Sequence, residues 1–194
     1  LSAASSALSS LDASAVAGGA LKFTAGSLTA AISVKGVANG NNTLNLSAAT
    51  KGITYTGGAG ADDITLGSGN NIISVGKGTD VVTLLAPGSS AGSFTTIKDL
   101  HAGMTLAIDG HASTSFNRSM VSLSSSASFQ DYLNAVVHQS NDSASEGVFG
   151  WFQYKGDSYL VESRHSATGS AANFVDGTDL IVKLTGLHNL GNAS

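Results

Sequence analysis

From Ala20 to about Leu84 the chain alternates apolar and polar residues in short bursts separated by Gly, Asn and Ser. LKFT, LTAAISVKG, NTLNLSAAT and GITYTG follow one another, with clear period-two patterning at Ala31-Ile32-Ser33-Val34 and Leu44-Asn45-Leu46. Side chains on a strand point alternately to its two faces, so each burst predicts a half-buried strand. Between Gly57 and Thr83 the bursts become regular: GGAGADDIT, LGSGNNIIS and VGKGTDVVT. Cut every nine residues, these align Gly58, Gly67 and Gly76; Gly60, Gly69 and Gly78; Asp62, Asn71 and Asp80; and Ile64, Ile73 and Val82. A six-residue turn feeding a three-residue strand, repeated in phase, predicts a parallel β-roll.

Beyond the repeats the pattern changes. Strands are expected at Phe94–Leu100 and Met104–Asp109, as a cap on the open end of the roll. Phe129, Leu133, Val136 and Val137 fall at helical spacing and predict a helix from Ala127 to Gln139, with Ser126 or Ser128 as N-cap. Gly147–Tyr154 and Tyr159–Arg164 read as a hairpin around Lys155-Gly156, and 180–187 as a last strand. Residues 1–19 are Ser/Ala-rich, and their composition fits either a short helix over Ala3–Leu11 or a flexible lead-in. VANGNNTLN at 37–45 is a decayed repeat, with Gly40, Asn42 and Leu44 in the matching columns. The fold class expected is therefore mainly β: a right-handed parallel β-roll over 20–110, then a small α+β subdomain over 111–194.

Composition narrows the function. Of 194 residues only 11% are charged, while 42% are hydrophobic, enough for a core. A net charge of −4 with no Lys/Arg cluster argues against a nucleic-acid partner. No apolar run approaches the about 18 residues of a transmembrane helix. There is no Cys, which removes thiolate metal sites and Cys nucleophiles. The chain opens on Leu1 rather than Met, which reads as a piece of something longer.

The repeat columns carry the candidate chemistry. Paired glycines let turns take positive φ and stack closely. The sixth column is acidic and lies beside the carbonyls of glycine-rich turns, a set of hard oxygen donors suited to Ca²⁺. Alternate turns fall on opposite sides of a roll, so Asp62 and Asp80 should stack with one Ca²⁺ between them. Gly58, Gly60, Asp62, Gly76, Gly78 and Asp80 form that expected main site. Asn71 lies on the other side, between Ile53 and Ser89, as a further candidate. Asp176 and Asp179, in DGTD, are an acidic turn that binds metal or caps its own backbone.

The three nonapeptides resemble the RTX repeats of bacterial proteins exported by type I secretion, GGxGxDxUx with U apolar. GGAGADDIT fits every defined position, and VGKGTDVVT lacks only the first Gly. LGSGNNIIS lacks that Gly and has Asn for Asp. TTIKDLHAGMTLAI is similar to the strand pair that follows such repeats, with Leu100 and Met104 as departures. The terminal block, "F-x-Y-x-G-D-x-Y-L-V" then "D-x-I-V-K-L-T-G", resembles the C-terminal domain of surface-layer proteins. The resemblance implies a secreted, cell-surface, calcium-binding structural protein. Its implied partners are copies of itself in a lattice, the type I secretion apparatus and cell-surface polysaccharide.

Two other functions remain open at this point: the export module of a secreted enzyme, and an adhesin that binds carbohydrate through Trp151, Phe152, Tyr154 and Tyr159. No HExxH or GxSxG occurs, and no enzyme activity is expected. His101 and His111, with Asp109, make a conceivable metal site, but exposed loop histidines are the simpler expectation.

Overall fold

The computed structural model describes residues 2–3, 7–85, 91–108, 115–141, 147–165 and 173–192. Contacts divide the chain into two units. One is Leu1–Ala86 with Thr95–Gly110; the other is Pro87–Phe94 with His111–Ser194.

The first unit is a parallel β-solenoid of about four turns. Its strands are β1 (Ser2–Ala3), β2 (Ser10–Asp12), β3 (Lys22–Ala25), β4 (Ile32–Lys35), β5 (Thr43–Leu46) and β6 (Ile53–Gly58). β7 (Asp63–Leu66), β8 (Ile72–Gly76), β9 (Val81–Leu84), β10 (Thr95–Ile97) and β11 (Thr105–Ile108) continue it. Odd strands β1 to β11 stack in one sheet and even strands β2 to β10 in the other, every neighbouring pair parallel. Alternation decides which residues face inward. Phe23, Leu44, Ile64 and Val82 form one buried row; Val34, Tyr55, Ile73 and Ile97 form the facing one. Each such side chain contributes about 1.5–3 kcal/mol through its removal from water.

The coils are not of equal length. Lys22 pairs with Thr43, Thr43 with Asp63, Asp63 with Val81, and Val81 with Thr105, so successive coils hold 21, 20, 18 and 24 residues. The 18-residue step of two nonapeptides occurs only where the three repeats run, between β7 and β9 and between β6 and β8. Within the Ser/Ala-rich start, the described residues include two short strands, β1 and β2. β2 pairs residue for residue with β4, setting Leu11 against Val34 and Asp12 against Lys35, whose ammonium lies 3.1 Å from the Asp12 carboxylate. Small residues suffice there because the backbone ladder, not side-chain bulk, joins an edge strand.

The second unit holds β12 (Ser115–Phe116), α1 (Phe129–Asn141), β13 (Val148–Tyr154), β14 (Asp157–Ser163) and β15 (Leu180–Leu184). β13–β14–β15 is an antiparallel meander, with β12 added in parallel beside β13. Lys155 (φ 47°) and Gly156 (φ 88°) form a tight two-residue turn in which both residues take positive φ. Ser128 caps α1: its hydroxyl accepts the Asp131 N–H at 3.2 Å, while Asp131 accepts the Ser128 N–H at 2.8 Å. Leu133, Val136 and Val137 of α1 pack with Phe152, Tyr159, Val161 and Ile181 in one apolar cluster.

Candidate metal centre

One corner of the solenoid is built from polar side chains. Asn42, Asp62 and Asp80 occupy the position just before β5, β7 and β9, and they are 0%, 1% and 0% exposed. Each carboxylate reaches back one coil. Asp62 Oδ1 accepts the Asn42 backbone N–H at 2.9 Å and its side-chain amide at 2.7 Å. Asp80 Oδ1 accepts the Asp62 N–H at 2.8 Å. Asn42 Oδ1 in turn accepts the Val37 N–H at 2.8 Å. From inside the core the Tyr55 hydroxyl donates to Asp62 Oδ2 at 2.8 Å. Hydrogen bonds to an ionised acceptor are the stronger kind, and here they hold adjacent coils in register.

The glycine columns make this close stacking possible. A Cβ on Gly58 would lie 2.1 Å from the Ala38 carbonyl oxygen. One on Gly76 would lie 2.0 Å from the Gly58 oxygen, and one on Gly78 would lie 2.5 Å from the Gly60 oxygen. A Cβ on Gly60 would meet the Gly40 oxygen at 2.4 Å. Positive φ is a narrower requirement. Gly76 (φ 92°) and Gly78 (φ 140°) adopt it, whereas Gly58 and Gly60 do not. Those two are glycine for space rather than for conformation.

Burial raises the pKa of Asp62 above its usual 3.8; the hydrogen bonds from Tyr55 and Asn42 oppose that shift, and the Asp80 charge adds to it. The Tyr55 hydroxyl is pushed far above its usual value by burial, and further by the Asp62 charge beside it. Asp80 Oδ2 is buried and accepts no hydrogen bond. Among the described residues the His101 imidazole stands beside it, with Nε2 3.4 Å away and the side chain 28% exposed. The His101 pKa is raised, first by the hydrogen bond of its ring to the Asp99 carbonyl; burial opposes this, and the Gly78 carbonyl and the Asp80 and Asp99 carboxylates add to it.

Asp62 and Asp80 therefore meet in adjacent coils, as the 18-residue spacing predicts, and their donors suit calcium in kind: carboxylate oxygens beside turn carbonyls. Among the described residues no group of three or more His, Cys, Asp and Glu side chains gathers around a common point. Asn71 occupies the opposite corner, below Ile53 as expected, and accepts the Ile53 N–H at 3.1 Å. On its other side Asn71 donates to Thr95 Oγ1 at 3.1 Å. The coil is longer there, with Ile72 paired to Thr96 across 24 residues. Ser89, His111 and Asp109 lie outside the described residues.

Asp176 and Asp179 sit in the second unit. Asp176 Oδ1 accepts the Ala91 N–H at 3.1 Å. Asp179 is fully buried, with both oxygens engaged. Oδ1 accepts the Arg164 N–H and contacts His165 Nδ1, each at 2.8 Å, and Oδ2 accepts the Val175 N–H at 2.8 Å. That is the backbone-capping geometry of a turn. Of the hairpin aromatics, Tyr154 is partly buried and the other three lie in the interior. Trp151, Phe152 and Tyr159 are buried, and Trp151 Nε1 donates to the Arg118 carbonyl at 3.1 Å.

Two contributors to the centre, Tyr55 and Asp99, carry no functional mark in the sequence, and a third, His101, has a partner that the sequence does not give. Tyr55 reads only as an inward apolar position. Asp99 accepts hydrogen bonds from Ser74 Oγ and from the Val75 and Gly76 N–H groups, at 2.8, 3.1 and 2.7 Å. His101, which the sequence pairs with His111 and Asp109, stands beside Asp80. No family model matches the chain, and no curated protein matches it.

Proposed function

We propose that this chain is a non-catalytic structural module of a secreted bacterial surface protein, whose solenoid is stabilised by calcium at the Asp62 and Asp80 turns. One observation supports the reading most. Two buried carboxylates occupy the same corner of adjacent coils, and one of their oxygens, Asp80 Oδ2, accepts no hydrogen bond. Two desolvated negative charges so placed repel each other and favour a cation. Asp62 and Asp80, with carbonyls of the Gly58–Gly60 and Gly76–Gly78 turns, would hold it. Calcium bound there would supply the positive charge that the ladder lacks.

Since only the folded chain brings the two turns together, calcium affinity would become folding free energy. A chain exported through a type I secretion apparatus would then fold on reaching external calcium. The weakly charged outer faces of the sheets suit packing against copies of the same chain or against surface polysaccharide.

A second reading is a metal-free solenoid in which the acidic column only satisfies turn backbones. Asp62 favours it, because both of its oxygens already accept hydrogen bonds. Circular dichroism in chelator and in calcium separates the two. A β-signal or melting temperature that rises with calcium in the wild type, and not in an Asp62→Ala/Asp80→Ala double variant, supports the first. A wild-type fold indifferent to chelator supports the second.

A further inference from the structure

We propose that the His101 imidazole is an internal latch on the Asp80 corner, an autoinhibitory contact that calcium must displace in order to bind there. The proposal rests on the calcium reading above and adds the control of that site. It begins with the ring. Nδ1 lies 2.8 Å from the Asp99 carbonyl oxygen, and Nε2 lies 3.2 Å from the Gly78 carbonyl oxygen. Carbonyls only accept, so both nitrogens carry protons and the ring is an imidazolium. Nε2 also stands 3.4 Å from Asp80 Oδ2, the buried oxygen that accepts no hydrogen bond. One positive charge from within the chain thus faces two buried carboxylates, Asp62 and Asp80. Gly78 O and Asp80 Oδ2 are two of the oxygens that calcium would use. The ring holds both, and its charge repels a cation approaching them.

The turn that carries the ring is fixed on both sides. Before it, the Asp99 carboxylate accepts from Ser74 Oγ and from the Val75 and Gly76 N–H groups. After it, the Thr105 N–H donates to the Asp80 carbonyl at 2.7 Å and β11 pairs with β9. The Met104 N–H closes the turn on the His101 carbonyl at 3.2 Å, and Gly103 takes φ 94°. Ala102 and Gly103 are exposed, and the His101 side chain reaches solvent over 28% of its surface. Rotation about side-chain bonds therefore carries the ring into water without breaking a backbone hydrogen bond. The consequence is a linkage of opposite signs. The ring's contacts stabilise the ion-free solenoid, are lost when calcium binds, and so weaken calcium affinity by the factor with which they hold the closed state.

The test is calorimetric calcium titration of chelator-stripped wild type and His101→Ala at one neutral pH, with urea melts in chelator and ¹H–¹⁵N spectra of the imidazoles. His101→Ala should bind calcium about tenfold more tightly, about 1.4 kcal/mol, while its ion-free form unfolds at lower urea. A residue that only braces the turn would lower affinity and stability together. In the wild type, saturating calcium should move the His101 ring signals, assigned by their absence from His101→Ala, towards those of a solvated imidazole. His101→Gln, which keeps an N–H donor without the charge, should fall between the two and carries the same test should His101→Ala not fold. Calcium binding by the wild type with no gain in the variants, or with the ring signals unmoved at saturation, would overturn the latch and leave the calcium reading standing. No calcium binding by the wild type or by either variant would end the calcium reading and the latch with it.

Discussion

Replacing Asp62 by Asn and by Ala should give opposite results in chelator. The carboxylate accepts three hydrogen bonds, two from Asn42 and one from Tyr55, while the residue's own N–H donates to Asp80. In Asp62→Asn the amide oxygen can keep both Asn42 bonds, and its NH₂ can donate to the Tyr55 oxygen. The shape survives and a buried charge disappears. The sign of the charge effect follows from the raised pKa of Asp62. Its stabilising contribution is fully present below the unfolded value of 3.8 and is lost as pH rises through the folded value, so at neutral pH the ionised group costs stability. Asp62→Asn should therefore match or exceed the wild type in chelator at pH 7.5. Asp62→Ala removes both acceptor oxygens and with them three hydrogen bonds, leaving the Asn42 backbone N–H and the Tyr55 hydroxyl without their acceptor in the core, at a cost of about 3–5 kcal/mol. For a chain of this size that lowers the melting temperature by roughly 6–20 °C. In calcium at a hundred times the dissociation constant, the wild type should gain about 2.7 kcal/mol, and neither variant should gain it. The assay is calorimetric unfolding in chelator and in calcium. If Asp62→Asn is destabilised as much as Asp62→Ala in chelator, the hydrogen-bond argument fails. If it keeps the wild-type calcium gain, the ligand assignment fails.

Three further outcomes are expected. Gly156→Ala, at φ 88° with open space around it, should cost only backbone strain, about 1–2 kcal/mol. Gly76→Ala adds a collision at 2.0 Å with the Gly58 oxygen and should cost clearly more; urea melts of the two variants measure the difference. Ser128→Ala removes the α1 cap and should cost about 1 kcal/mol by the same melts. The hydrogen bond from Lys183, followed by one from the Gly186 N–H, holds the Asp157 pKa below 3.8. Its contribution is present above 3.8 and is lost as pH falls through the folded value, so Asp157→Asn should flatten stability against pH on that acid limb.

The solenoid was legible because its glycines and inward apolar residues recur at a fixed period over Gly57–Thr83, and because alternation marks β3 to β6. The hairpin and α1 were legible for the same reason, a matched period with turn and cap residues at its ends. Asp62 and Asp80 were legible as stacked neighbours because the coil between them has the 18 residues of two nonapeptides. Where coil length departs from that value, sequence spacing loses its meaning. Asn71 meets Thr95 across 24 residues, and His101 meets Gly78 across 23, and no repeat marks either distance. Tyr55 escaped notice because an inward aromatic on a strand reads as core, and its hydroxyl partner, Asp62, lies round the next corner. β1 and β2 escaped because Ser and Ala carry little periodic signal, although backbone pairing needs none.

The most direct test of the calcium account is the number of ions bound per chain, by titration calorimetry of chelator-stripped protein. The account predicts one ion in the wild type and none in either Asp62→Asn or Asp80→Asn, with both variants folded by circular dichroism. No bound calcium in the wild type, or one ion retained in both variants, would contradict it and leave the acidic ladder as a purely hydrogen-bonded corner of the solenoid.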